Sequence, residues 1–366
     1  MTASLPAHTA LLVADLLEFI AQGGCTDDEF DAMAARLFAH QVAHNGAYRR
    51  FCQRRGITPR RVSRWQDIPA VPIGAFKEAT LSCEPTEACE RVFMTSGTTR
   101  AELVGRHWHP TMAVWDASML RNFARRFMAG EDSRIPMAVL FPPESELANS
   151  SLARYLSQAV RHFGSAGSAW FVTTAGMDTP GLLARLRQAE RSGEAFAVLG
   201  ASYSFVHLLD TLAASGERLR LPAGSRILDT GGMKGRSREV PPAQFYEALA
   251  DRLGVPRERC INMYGMTELS TQFYDAGNAV LPSVKSGPHW IRSRVVDPLS
   301  GAQLPAGTRG ILVHCDLASF NSATTILTED VGVAVEGGFH LLGRAEGAQA
   351  KGCSLAAEEF LQASTP

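Results

Sequence analysis

The strongest constraint on this chain is a repeated alternation of short apolar runs with helical patterns. The runs cover residues 137–141, 170–173, 195–199, 226–228 and 261–263, and most end in a loop rich in glycine, serine or proline. Helical stretches such as 182–191 and 244–253 lie between them. Strands that alternate with helices predict an α/β fold, with helices covering the faces of a sheet. Ligands in such folds bind beyond the carboxyl ends of the strands, so chemistry is expected in the loops that close these runs.

The flanks read differently. Residues 1–65 are expected to be helical: Thr26 and Glu29 make a capping-box pair, and Phe30, Met33, Ala34, Leu37 and Phe38 follow at helical spacing. Pro69 and Pro72 then break the pattern. Beyond Val284, runs at 310–314, 331–335 and 339–342 are divided by glycine and aspartate turns and predict a smaller β-rich region. A chain of 366 residues exceeds what a single core usually serves. The expected layout is a helical segment over 1–65, an α/β core over 66–283, a β-rich subdomain over 284–343 and a short tail over 344–366.

Charge is balanced at a net -1, which gives no steering toward nucleic acid or an anionic membrane. The arginines at 49, 50, 54, 55, 60, 61 and 64 have no interleaved aromatic ladder and read as a solvated or docking face, with an acidic ligand as the alternative. Seven cysteines form no CxxC pair and follow no secretory segment, so a reduced, cytoplasmic protein is expected, neither a disulfide scaffold nor a zinc module. No apolar run approaches the length of a membrane span.

Four loops carry candidate chemistry. Thr95, Ser96, Gly97, Thr98 and Thr99 follow an apolar pair; their hydroxyls and backbone N–H groups suit phosphate oxygens, although a solvated turn has the same composition. Tyr264, Gly265, Met266, Thr267 and Glu268 close the run at 261–263. The tyrosine offers a face to a purine, Thr267 a hydroxyl to phosphate and Glu268 an oxygen ligand to Mg²⁺. The bland reading makes Tyr264 core and Glu268 a helix-start carboxylate. Gly231 and Gly232 precede Lys234 in a tight turn with room for a flat base. Asp330, followed later by Arg344, suits the two hydroxyls of a ribose, or else belongs to a surface turn.

The order and spacing of these elements resemble the adenylate-forming (acyl-AMP synthetase) superfamily. The resemblance implies sheets flanked by helices like the N-terminal domain of that superfamily, here with a β-rich region and no full C-terminal mobile domain. It also implies ATP and Mg²⁺ as cofactors, with the hydroxyl loop on the triphosphate, Tyr264 to Glu268 on adenine, α-phosphate and metal, and Asp330 on the ribose. A finer likeness links Phe76-Lys77, the glycine–lysine turn, the tyrosine loop and the Gly343-Arg344-Ala345-Glu346-Gly347 … Gly352-Cys353-Ser354 ending to LuxE-type acyl-protein synthetases. By that resemblance a fatty or aryl acid is activated as acyl-AMP, the acyl group passes to Cys353 beside Lys351, and a partner reductase receives it.

The catalytic set is therefore Cys353, Lys234, Thr267 and Glu268. Gly200, Ala201, Ser202 and Tyr203 are expected to line an acyl pocket, since small residues leave volume there. The chain ends at Pro366, before the mobile domain that carries a catalytic lysine in the wider superfamily, and Lys77, Lys234 or Lys351 are candidates to replace it. Two further readings stand beside this one: a ligase that loads CoA or a carrier protein, and a degenerate nucleotide-binding subunit.

Overall fold

The computed structural model describes residues 5–95, 104–129, 134–233 and 235–364. Ser96, Gly97, Thr98, Thr99 and Lys234 lie outside the described residues. Contacts divide the chain into two units: residues 1–121, 266–272 and 285–366 form one, and 122–265 with 273–284 the other.

In the first unit, the capping box forms as expected: Glu29 N–H donates to Thr26 Oγ1 at 3.2 Å, and Thr26 N–H donates to Glu29 Oε2 at 2.7 Å. The helix it starts, Asp27–His44, buries Phe30, Ala34, Leu37 and Phe38. Strands Ile291–Val296, Arg309–Asp316, Thr325–Val335 and Gly338–Arg344 form an antiparallel meander, and Val71–Pro72 pairs in parallel with Thr325–Val335. The short tail is mostly a helix, Gly347–Ser364, and Cys353 sits inside it and not in its first turn. Phe360 packs 4.8 Å from Phe51 of the helix Gly46–Arg54, and Arg55 grips Glu359 with two bonds of 2.9 and 2.7 Å. These contacts group the helical start and the tail with the β-rich region, a division that pattern alone did not separate because its partners are more than 300 residues apart.

The second unit is a parallel sheet in the order 169–170, 137–140, 197–201, 226–230, 260–264, with Phe273–Tyr274 antiparallel at the edge. Helices Thr179–Ser192, Ser202–Ser215 and Pro242–Leu253 supply Leu186, Leu208, Leu212 and Leu249 to one core with Ala138, Val198 and Ile227. The expected strand at 170–173 is broken: Ala169–Trp170 joins the sheet, while Val172–Thr173 turns away to pair with Gly176–Met177. The sheet's register places Ala201 opposite Thr230, and Thr230 opposite Met263, so the loops after these strands leave from one edge. No helix among the described residues is long and apolar enough to cross a membrane.

Candidate active site

The tyrosine loop is divided between the units: Tyr264 and Gly265 close the parallel sheet, and Met266, Thr267 and Glu268 belong to the first unit. Thr267 and Glu268 lie in a turn with no helix following, which removes the helix-start reading of Glu268.

Glu268 is 5% exposed, and burial pushes its carboxyl up to about 7, against a partial pull from its own backbone N–H and from the charges of Arg344 and Lys77. The hairpin of Arg91–Met94 with Arg106–His109 bears on it. At the head of that hairpin, Thr95 and Gly105 exchange backbone and side-chain bonds: Thr95 N–H donates to Gly105 O at 3.0 Å, and Gly105 N–H to Thr95 Oγ1 at 2.9 Å. A Cβ on Gly105 would stand 3.2 Å from Thr95 Cγ2 and 3.3 Å from Glu268 Oε1. The glycine thus lets Thr95 and Gly105 close up beside the carboxylate.

Two side chains fix the turn that carries Glu268. His107 lies 2.9 Å from the Thr267 carbonyl through Nδ1 and 2.9 Å from Ser322 Oγ through Nε2. A carbonyl only accepts, so Nδ1 carries the hydrogen and Ser322 donates to Nε2. Burial holds this imidazole neutral, its pKa down to about 4. Asp316 accepts from Ser270 N–H, Thr271 N–H, Thr271 Oγ1 and Ala318 N–H at 2.7–3.1 Å. The loop behind it is tied to the helix Asp27–His44: Gln41 Nε2 donates to the carbonyls of Ser319 and Phe320, and Asn45 Nδ2 to that of Ser322. Sequence reasoning missed Asp316 and Ser322, since a run of small hydroxyl residues looks like a solvated turn. The His107 ring positions the turn.

Asp330 is in mid-strand, not in a turn, next to a register shift between Val331 and Gly332. Arg344 stands opposite it, with Nε 3.5 Å from Asp330 Oδ1 and Nη1 3.4 Å from Glu329 Oε2. Thr328 Oγ1 accepts from Asp330 N–H at 3.0 Å and holds the backbone there.

Cys353 departs from expectation. It is 5% exposed, packs with Val296, Ile311, Val313 and Val331, and its Sγ lies 3.7 Å from the Thr328 carbonyl. Burial first, and then the charge of Glu329, push its thiol up to about 11; Arg344 is the cation that opposes them, and the expected help from Lys351 is not seen. A cavity of about 320 Å³ opens nearby, lined by Val296, Val313, Leu327, Gly352 and Leu355 among others.

In the second unit, Gly200 is a packing glycine: a Cβ there would meet Leu140 Cβ at 2.6 Å and its carbonyl at 2.7 Å, so the missing side chain leaves no free volume. Ala201 and Ser202 are each 3% exposed, and Ser202 Oγ donates to Asp229 Oδ2 at 2.8 Å. Asp229 also accepts from Tyr246 and Asn262, which makes this corner a hydrogen-bonded brace. Tyr203 is half-buried, with the Arg236 guanidinium 5.7 Å over its ring. The Tyr264 ring is 8% exposed and tilted against Phe273 at 5.9 Å, so little of the expected stacking face is open. Gly231 has φ +75°, and both it and Gly232 are exposed, with nothing within 4 Å of an added Cβ.

Known proteins share this architecture. Residues of this chain are 23% identical over 302 positions to the long-chain-fatty-acid–luciferin-component ligase of Vibrio harveyi, covering 82% of this chain and 77% of that one. Among solved structures, 2-hydroxyisobutyryl-CoA ligase in its postadenylation state superposes with a TM-score of 0.63 at 17% identity, over 87% of this chain and 67% of the ligase. ATP-bound MatB from Rhodopseudomonas palustris gives a TM-score of 0.50 at 16% identity, over 71% of this chain and 49% of MatB. The fold is therefore that of the adenylate-forming enzymes, as its motifs implied. The family model for "Acyl-protein synthetase, LuxE" matches residues 25–362, and the chain belongs to that family.

Proposed function

We propose that this ligase uses ATP to convert a carboxylic acid into an acyl-adenylate and then passes the acyl group to a thiol, first its own Cys353 and from there a partner protein. One observation carries the reading: Glu268 is buried, made basic by desolvation, and sits against the closed ends of a hydroxyl-rich loop. A carboxylate buried this way, with Lys77 and Arg344 only partly offsetting the cost, fits a hard divalent cation. Glu268 would hold Mg²⁺, which when bound neutralises phosphate charge.

In the first step a carboxylate oxygen attacks the α-phosphorus, and the bond to the bridging oxygen of the β-phosphate breaks, releasing pyrophosphate. The chain's own residues position and neutralise. Thr95, Ser96, Gly97, Thr98 and Thr99 donate to the leaving phosphates, with Thr267 on the α-phosphate. Asp330, steadied by Arg344, accepts from the ribose hydroxyls. Gly231 and Gly232 leave open space where a base or substrate approaches, and exposed Gly265 offers its backbone to adenine. Lys77 takes the cationic role near Glu268, and Lys234 that beside the substrate carboxylate. Tyr203 is the remaining acyl-pocket residue.

In the second step sulfur attacks the acyl carbon, the acyl C–O bond breaks and AMP leaves. The thiol proton must first go to a base, and burial opposes that. Cys353 therefore has to leave its place under Thr328 before it reacts. The same burial favours the second reading, in which an external thiol such as CoA or a carrier protein accepts the acyl group. The Vibrio harveyi relative is named for a long-chain fatty acid and a luciferin component, which makes a fatty acid and a protein acceptor the first pair to test.

Incubation with ATP and a panel of short, long and aryl radiolabelled acids is expected to give acid-dependent pyrophosphate exchange. Label should also remain on the protein, be released by neutral hydroxylamine and be absent in Cys353→Ser. Exchange with no bound label, but with acyl-CoA formed on adding CoA, assigns the external thiol. No exchange with any acid overturns adenylation and leaves a nucleotide-binding subunit.

A further inference from the structure

The helix Ala7–Ala21 and the helix Asp27–His44 bring three imidazoles together. His8 stacks on His44 with ring centroids 4.4 Å apart, His40 lies 4.8 Å from His44, and His8 lies 5.7 Å from His40. One ring nitrogen from each of the three falls within 4.8 Å of the others. His40 and His44 are four residues apart and so share a helix face, the spacing that supplies two histidine ligands to one metal.

Apolar packing does not account for this cluster. His8 and His44 are exposed and His40 is half-buried. His40 Nε2 is buried with no hydrogen-bond partner, which leaves its desolvation uncompensated. Three imidazoles at this distance repel one another once protonated. A carboxylate stands behind the cluster: Glu84 Oε1 is 4.0 Å from His8 Nε2, and Glu84 is held by a bond from Thr9 Oγ1.

We propose that His8, His40 and His44 bind one zinc-class divalent cation that ties the first helix to the second, with Glu84 as the outer carboxylate that orients His8. Imidazole nitrogens suit Zn²⁺, Ni²⁺ and Co²⁺, in contrast to the oxygen ligands that Mg²⁺ takes. Tetrahedral Zn–N bonds of about 2.0–2.1 Å set nitrogens about 3.3 Å apart. His8 and His44 are exposed, so solvent and not packing borders the side chains that would close from 4.8 Å. The cysteine spacing argued against a zinc module; these histidines, from two different helices, carry the site without thiolates.

The test uses the full chain without an affinity tag, stripped with chelator and titrated with Zn²⁺ by calorimetry, with the melting temperature followed in parallel. One equivalent is expected to bind and raise the melting temperature. Loss of a direct ligand in His44→Ala or His40→Ala should weaken binding at least about 100-fold, more than loss of an outer-shell partner does, and Glu84→Gln should weaken it about tenfold. His162→Ala, on the exposed face of another helix, should change nothing. Co²⁺ should give tetrahedral d–d bands with no thiolate charge-transfer band. Because His44 is exposed, its variant should fold and remain informative if His40→Ala does not. Failure to bind Zn²⁺, equal binding in the folded His44→Ala protein, or a thiolate charge-transfer band would each overturn the proposal.

Discussion

Two buried carboxylates in the first unit, Asp316 and Glu268, have opposite surroundings. Asp316 has no exposed surface and is saturated by donors from Ser270, Thr271, Ala318 and Ser319. Burial still raises its pKa, yet every cause that opposes burial is a hydrogen bond from the protein. Glu268, only two residues before Ser270, is relieved chiefly by its own N–H and by the charges of Arg344 and Lys77. The first carboxylate is met by the protein's own donors, and under the function proposed above the second is left for a cation. The difference separates a group that holds the turn from a group that the turn presents.

The largest effect expected from this contrast is on catalysis. Glu268→Gln keeps the shape and removes the charge, so adenylation should fall by about 10²–10³-fold, as when a preorganised electrostatic contact is lost. Stability should move the other way. The folded pKa of Glu268, about 7, lies above the ordinary carboxyl value of 4.5. The folded state therefore holds the proton more tightly, and stability from this group is present at low pH and lost as pH rises from 4.5 through 7. With metal chelated, the wild type should lose on the order of 2–3 kcal/mol across that window, and the variant should not. Chemical denaturation at pH 5 and pH 8 measures it. Equal slopes in the two proteins would break the comparison.

Asp316→Asn should reverse the pattern. The amide turns two hydrogens toward donors, which leaves buried N–H groups facing N–H groups and costs about 2–4 kcal/mol at neutral pH. Activity should fall only as far as the folded fraction falls. If instead the variant is stable but inactive, Asp316 belongs to the chemistry and the distinction fails.

Much of this was legible in the sequence, for a physical reason. The strand runs, the capping box and the loop glycines are local patterns, and they predict helices, parallel strands and loops leaving one sheet edge. What the sequence hid is set by distant partners. His107 and Thr267 are 160 positions apart, and Asn45 and Ser322 are 277 apart. Cys353 reads in the sequence as a thiol beside Lys351, but helix packing against Val313 and Val331 decides its burial. The 170–173 run reads as one strand, yet its second half pairs with residues 176–177.

The same contrast applies to glycines in the second unit, with smaller effects. Gly200 is filled by its neighbour. Gly200→Ala should cost about 1–3 kcal/mol, because Leu140's backbone carbonyl cannot retreat as a flexible side chain could.

Gly232 is the sharper case. Its added Cβ meets nothing within 4 Å, and its φ is outside the left-handed region that would demand glycine, so neither packing nor backbone strain accounts for the residue. Gly232→Ala should then change stability by no more than about 0.5 kcal/mol. If the open space is where a base or substrate approaches, the methyl group should raise the KM for ATP or for the acid severalfold and leave kcat nearly unchanged, the signature of lost ground-state and transition-state binding together. An unchanged KM for both would make the glycine incidental, and the space beside it would then have no part in recognition.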